Sequence, residues 1–373
     1  MRDKVPKDWD VEVFEVEAER LRGIVDKFER VNTVGESFTV YKIGNDLDVS
    51  LPRRERKSGR GHRAFVVEGD PGMSVPDAAR RRDFTVNAIM WDPLNAEVID
   101  PFDGQGDLKR KVLRAVSSDT FAEDSLRVLR ACQFAARFEF EIEPATVALC
   151  GSIDVTDLPG ERIWGEVRKL LLLARLPSIG LKWLHRFGVI SSLFPELAAL
   201  IDVPQDPEWH PEGDVWVHTK LVVDRAREVI DDLPYAKQVA VMLGALCHDL
   251  GKPPTTEFLE GRWRSRGHEE AGIEPTESLL DRLNIHTLDG YDVRGQVIAL
   301  VRDHLKPGEL YKKRDEIGPG ALRRLARRVE PDLLYRVAKA DSLGRNAEWV
   351  SREKWYGAEA QDWFIARVRE LQV

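Results

Sequence analysis

Arg80-Arg81-Arg82-Asp83-Phe84-Thr85-Val86-Asn87-Ala88-Ile89, then Ile99-Asp100-Pro101-Phe102-Asp103-Gly104, then Glu123-Asp124-Ser125-Leu126-Arg127-Val128-Leu129-Arg130 mark the place where this chain changes character. Upstream, short β-like runs at 11–14, 38–43, 47–51, 64–67 and 97–99 surround one helical pattern at 18–28. That predicts an α+β head with a mostly antiparallel sheet. Downstream of about residue 120 the pattern becomes continuous helix, broken near Pro144, Pro159-Gly160, Pro177 and Pro195. Residues 202–213, rich in Pro and acidic side chains, read as a linker into a second helical domain. The expected organisation is a head at 1–116, a helical neck and body at 117–205, a second helical domain at 206–345 and a helical tail at 346–373.

The chain has 373 residues, 43% of them apolar, enough to bury several cores. No run of 18 apolar residues occurs, and the first residues are charged, so neither a membrane span nor a signal peptide is expected. Cys132, Cys150 and Cys247 show no paired spacing and read as reduced core residues of a cytoplasmic protein. The net charge of −8 excludes a protein that coats nucleic acid nonspecifically. Arginine clusters at 53–63 and 80–82 suit a ligand touched at chosen phosphates, and the cluster at 323–328 reads equally well as a solvated helix face.

Asp8 and Asp10 stand two apart where a β-run begins, so both side chains leave one face of a strand. Two carboxylates so close repel and call for a cation. Asp48 opens another β-run. If the two strands are neighbours, three carboxylates converge into an oxygen cage suited to Mg²⁺ and phosphoryl transfer. Asp124, Arg127 and Arg130 recur three apart on a predicted helix, an arc of about 120° at 100° per residue, where one acceptor and two donor forks can face a nucleobase. Out of context, Asp124 with Arg127 is simply a helix-start pair.

In this order and spacing the strings resemble those of the class II tRNA nucleotidyltransferases and bacterial poly(A) polymerases, over nearly the whole chain. The resemblance implies that Asp8 and Asp10 bind metal and that Asp48 assists deprotonation of an RNA 3′-hydroxyl. It implies that Arg81, Arg82, Asp83 and Asn87 line the ribose and triphosphate, and that Asp124 and Arg127, with Arg130, select C and A. The family's Arg-Asp pair has its counterpart in Arg2 and Asp3, whereas its Gly-Gly turn is not found ahead of Asp8. The two readings of that difference are a misassigned start and a head weakened in nucleotide binding.

His218, the adjacent His248-Asp249 and the distant Asp341 resemble the ligand set of the HD metal-dependent phosphohydrolases. The resemblance adds His268 and His304 as ligands of a second metal. Imidazole and carboxylate together suit a divalent transition metal that activates water. His210 is read as a brace for the site, His286 as a surface residue, and Lys252 as either a phosphate contact or a solvated loop lysine. The leading expectation is CCA addition to the tRNA 3′ end from CTP and ATP, beside hydrolysis of 2′,3′-cyclic or terminal phosphates. The alternatives are a phosphohydrolase whose head only binds RNA, and a poly(A) or partial CCA polymerase. Oligomeric state, and which transition metal the second domain takes, are not legible.

Overall fold

The computed structural model describes residues 8–28, 31–34, 40–57, 65–345 and 358–372. Arg2, expected to contact nucleotide, lies outside them. The chain divides into two compact units, one of residues 1–127 and 143–149, the other of 128–142 and 150–373.

The first unit begins with strand β1 (Trp9–Glu12), helix α1 (Ala18–Val25) and strands β2 (Val31–Val34), β3 (Val40–Ile43) and β4 (Leu47–Ser50), ordered β1-β4-β3-β2 in one sheet. The β2–β3 and β3–β4 pairings are antiparallel, as expected, while β1 joins β4 in parallel. Leu21 and Val25, one helical turn apart on α1, pack on Tyr41, Val49 and Leu51. Because side chains alternate along a strand, burying Val49 leaves Asp48 on the opposite face.

The motif strings then fold on one another. Asp83 Oδ1 accepts from Phe84 N at 2.8 Å and Asn87 Nδ2 at 2.9 Å, shaping the 3₁₀ turn Thr85–Asn87. Asp100 accepts from Gly104 N at 2.7 Å and Gln105 N at 2.9 Å at the start of helix Gly104–Arg110. A Cβ on Gly104 would lie 2.2 Å from Thr85 O, so this glycine is what lets the two strings pack together.

The second unit is mainly helical, with two small hairpins that the helical pattern did not foretell, Thr256–Leu259 with Arg262–Ser265 and Thr287–Leu288 with Tyr291–Asp292. Its centre is helix Tyr235–Cys247, buried along most of its length. Around it lie helices Val215–Arg227, Val293–Asp303 and Pro331–Gly344. A Cβ on Gly344 would meet Val222 Cγ2 at 2.6 Å, so small size there permits two helices to cross closely. All three cysteines are buried and unpaired. No helix among the described residues is long and apolar enough to cross a membrane.

Candidate functional sites

The metal-binding candidates of the second unit come from the ends of different helices. His218 sits in the first turn of Val215–Arg227, which Asp214 caps by accepting from Val217 N at 2.7 Å. His248-Asp249 follow the buried helix Tyr235–Cys247. His268 opens a short helix, His304 follows Val293–Asp303, and Asp341 lies in Pro331–Gly344. Folding brings all six together. His218 Nε2 is 3.1 Å from Asp341 Oδ1 and 3.9 Å from Asp249 Oδ2, and His248 Nε2 is 3.1 Å from Asp249 Oδ2. His268 Nε2 is 3.4 Å from Asp249 Oδ1 and 3.3 Å from His304 Nε2.

Hydrogen bonding on the far side of each ring fixes its tautomer. His248, His268 and His304 each place Nδ1 2.7–2.8 Å from a backbone carbonyl, of Ala245, Ser265 and Val301 respectively. A carbonyl only accepts, so Nδ1 carries the proton and Nε2 presents a lone pair. His218 Nδ1 donates to Glu212 Oε1 at 2.8 Å, which also accepts from His210 Nδ1 at 2.9 Å. Four lone pairs and two carboxylates therefore converge. His248 Nε2 is buried without a hydrogen bond, and the lone pairs of His268 and His304 face each other. Such an array is costly unless a cation fills it, so these residues fit a divalent metal. Asp249 belongs to two ligand groups, one with His218 and His248, the other with His268 and His304.

The electrostatics of the cluster are coupled: burial opposes charge on His248, but the neighbouring Asp249 outweighs it and raises the His248 pKa. Burial opposes charge on Asp249, but His248 and Lys252 outweigh it and hold the carboxyl well below the usual range. Burial likewise opposes charge on Asp341, yet the His218 hydrogen bond and Arg345 hold it well below. Burial pushes His304 down to about 3, keeping it neutral as a ligand must be. Glu212 is held at about 2 despite burial, because two imidazoles donate to it.

A cleft of about 410 Å³ opens onto this centre, lined among others by Lys252, His268, His304, Asp341 and Arg345. Lys252 is only 8% exposed and reaches Asp249 Oδ2 and Gln205 Oε1, each at 2.7 Å, which removes the solvated-loop reading. Residues 202–213 do more than link. Asp206, Trp209 and His210 line the cleft, and Glu212 orients His218.

In the first unit, Asp10 pairs in register with Asp48 across parallel β1 and β4, and Asp48 with Lys42 across β3 and β4. The two expected strands are therefore neighbours. Asp8 lies just before β1 and is exposed. Lys42 Nζ approaches Asp48 Oδ2 at 3.3 Å. Among the described residues, groups of three or more ligand atoms within 4.8 Å of one another all lie in the second unit. Arg82 donates to Glu12 at 2.9 Å, tying the arginine string to β1. Arg127 donates to Thr120 O at 2.6 Å and Arg81 O at 2.7 Å, and Asp124 accepts from Leu126 N at 3.2 Å. Helix Leu126–Phe138 carries Arg130 onward into the second unit, where it lies over the Phe134 ring at 5.0 Å.

Residues 1–114 match the family described as the poly A polymerase head domain, residues 139–201 the probable RNA and SrmB-binding site of polymerase A, and residues 215–346 the HD domain. The multifunctional CCA protein of Xanthomonas campestris pv. campestris (strain B100) is 39% identical over 292 residues, covering 75% of this chain and 67% of that protein. That of Stenotrophomonas maltophilia (strain K279a) is 42% identical over 265 residues, covering 68% and 62%. This chain belongs to the class II CCA-adding enzyme family with an HD domain. It spans about two thirds of the length of these relatives. In fold it is similar to the Thermotoga maritima CCA-adding enzyme complexed with tRNA, with a TM-score of 0.60 at 18% identity over 98% of this chain and 74% of that one.

Within this CCA-type chain the sequence reading missed Glu212, whose signal was its place between His210 and His218. It also missed the hairpin at 256–265, whose signal was Glu260-Gly261 between two β-like runs. Both residues adopt positive φ in a tight turn, which glycine favours and glutamate does not advertise.

Proposed function

We propose that this chain adds CMP and AMP from CTP and ATP to the 3′ end of tRNA, and that its HD domain hydrolyses 2′,3′-cyclic or terminal phosphates of RNA ends. The observation that carries the first part is the in-register pair Asp10 and Asp48 beside the folded RRDFT and IDPFDG strings. The RNA 3′-hydroxyl oxygen bonds to the α-phosphorus, the bond to pyrophosphate breaks, and Asp48 takes up the hydroxyl proton. Asp8 and Asp10 would hold Mg²⁺, which supplies charge neutralisation at the triphosphate. Arg81 and Arg82 contribute cations where phosphate oxygens come to rest, Asp83 shapes the turn presenting Asn87, and Asp124, Arg127 and Arg130 discriminate the base edge. Arg2 is assigned to the nucleotide on the resemblance alone.

In the HD domain, His218, His248, Asp249 and Asp341, with His268 and His304, would hold a divalent transition metal, which supplies a water acidic enough to attack phosphorus near neutral pH. Lys252 and Arg345 stand where they attract the phosphate. The reading is of a cytoplasmic enzyme, in keeping with its buried, unpaired cysteines.

The test is incorporation of labelled CMP and AMP into tRNA lacking CCA. Asp8→Ala/Asp10→Ala is expected to abolish incorporation and spare phosphate release, and His248→Ala the reverse. A purified chain that incorporates neither nucleotide overturns the first part, and phosphate release indifferent to His248→Ala overturns the second.

A further inference from the structure

The hairpin of strands Thr256–Leu259 and Arg262–Ser265 stands at the mouth of the HD cleft, with large apolar side chains in solvent. Phe258 is 58% exposed and Trp263 36%, their rings 5.0 Å apart and T-shaped across the hairpin. Contiguous exposed apolar rings beside a cleft are a feature that ligand-binding surfaces share. The hairpin is also anchored. Arg262 bonds Asp206 Oδ2 at 2.6 Å and pairs with Glu208, so the strand carrying Trp263 is tied to the segment carrying Trp209, and both tryptophans line the cleft.

The same strand runs inward to the metal ligands. Ser265 O fixes the His268 ring, and Thr256 and Ser265 join their hydroxyls at 2.7 Å. Trp263 stands two residues before Ser265, about 7 Å along a strand at 3.3–3.4 Å per residue. The cleft offers the buried Lys252 and the half-buried Arg345 to a phosphate, the rim offers a flat apolar ring, and the volume of about 410 Å³ accommodates one nucleotide.

We infer that Trp263, aided by Trp209, stacks on the nucleobase of a nucleotide whose 2′,3′-phosphate lies at the metal centre. The HD site is therefore selective for nucleotidyl phosphates, free or at an RNA 3′ end, over phosphates without a base. This rests on the phosphohydrolase reading given above. Stacking tolerates any base, since each has a π-face, so the selectivity is for a base and not for its identity.

The test uses the metal-loaded full chain on adenosine 2′,3′-cyclic phosphate, on an RNA hairpin ending in the same group, and on glycerol 1,2-cyclic phosphate, which has no base. Trp263→Ala is expected to raise KM about tenfold for the nucleotide, for the RNA or for both, with kcat within about twofold. KM for the glycerol ester should not move, and Trp263→Phe should restore most of the loss. Whether nucleotide or RNA responds more identifies the source of the natural ligand. An unchanged KM on both base-bearing substrates, or an equal rise on all three, overturns the inference. If the wild-type chain hydrolyses none of them, the phosphohydrolase reading fails. Stacking is then judged by tryptophan fluorescence during titration with adenosine 2′-monophosphate. A quench that inorganic phosphate does not produce and that Trp263→Phe removes supports it, and a quench independent of Trp263 overturns it.

Discussion

Glu212 Oε1 accepts the Nδ1–H of His218 at 2.8 Å, and the other nitrogen of that ring stands 3.1 Å from Asp341. A carboxylate behind an imidazole raises its basicity and locks its rotation, which is how metal sites are commonly supported from behind. Glu212→Gln keeps the shape of the side chain and removes its charge. The expected outcome is a loss of about 10- to 100-fold in affinity for a divalent metal, with the helical circular dichroism unchanged. Calorimetric titration of Mn²⁺ or Co²⁺ into chelator-stripped protein measures this, and equal affinities for variant and wild type would remove Glu212 from that role.

The opposed lone pairs of His268 and His304 and the unbonded Nε2 of His248 would be relieved by a bound cation, so metal is expected to stabilise the second unit. Metal that binds only the folded chain at a hundredfold its dissociation constant adds about 2.7 kcal/mol. For a unit of this size that corresponds to a rise in Tm of roughly 5–10 °C. Thermal scans with and without chelator read it directly. A Tm indifferent to metal and chelator alike would mean that the cluster folds around no ion.

Much of this was legible before the structure. The strand at 97–99 falls where the pattern placed it, and Leu47–Ser50 ends within a residue of expectation. The first strand is set earlier than expected, at Trp9–Glu12, because pairing with β4 and not hydropathy fixes its bounds. The six residues proposed as HD-type ligands were picked out by their resemblance to that ligand set, and folding brings them together. The cleft wall was not. Residues 202–213 look like a linker because Pro and acidic residues signal exposed chain, yet here the acids are used, Asp206 on Arg262 and Glu212 on two histidines. A local composition cannot say which distant group a carboxylate will meet.

Two glycines of the second unit should respond to alanine in opposite ways. A Cβ on Gly251 would lie 2.0 Å from His268 O and 2.5 Å from Gly272 N, both backbone atoms that cannot swing aside. Gly251→Ala is therefore expected to cost about 3 kcal/mol and to weaken metal binding, since the displaced backbone carries His268. Gly165, inside helix Gly160–Leu173, has nothing within 4 Å of where a Cβ would stand. Gly165→Ala should stabilise by about 0.5–1 kcal/mol by reducing the freedom of the unfolded chain. Urea midpoints of the two variants against wild type decide it, and a matching sign would show that backbone crowding at Gly251 is relieved elsewhere.

Asp107 gives the first unit an acid-sensitive point. It is 1% exposed and accepts from Thr85 Oγ1 at 2.8 Å, Arg110 at 2.9 Å and Arg114 Nε at 3.0 Å. Burial alone would raise its pKa, but the hydrogen bonds of Arg114, Arg110 and Thr85 prevail and hold it below the ordinary 3.8. The folded state thus binds this proton less readily than the unfolded state. Its contribution is complete above the unfolded value and disappears as pH falls through the lower, folded one. Both arginines are about half exposed, so solvent screens the pairs, and Asp107→Asn should cost about 1–2 kcal/mol near pH 7. The gap in Tm between wild type and Asp107→Asn, followed in the first unit by the fluorescence of Trp91 or Trp9 in chains where the other tryptophans are replaced, should be constant from pH 7 to about 5 and then close towards pH 3. A gap that persists unchanged at pH 3 would place the stabilisation in packing and not in the charge of Asp107.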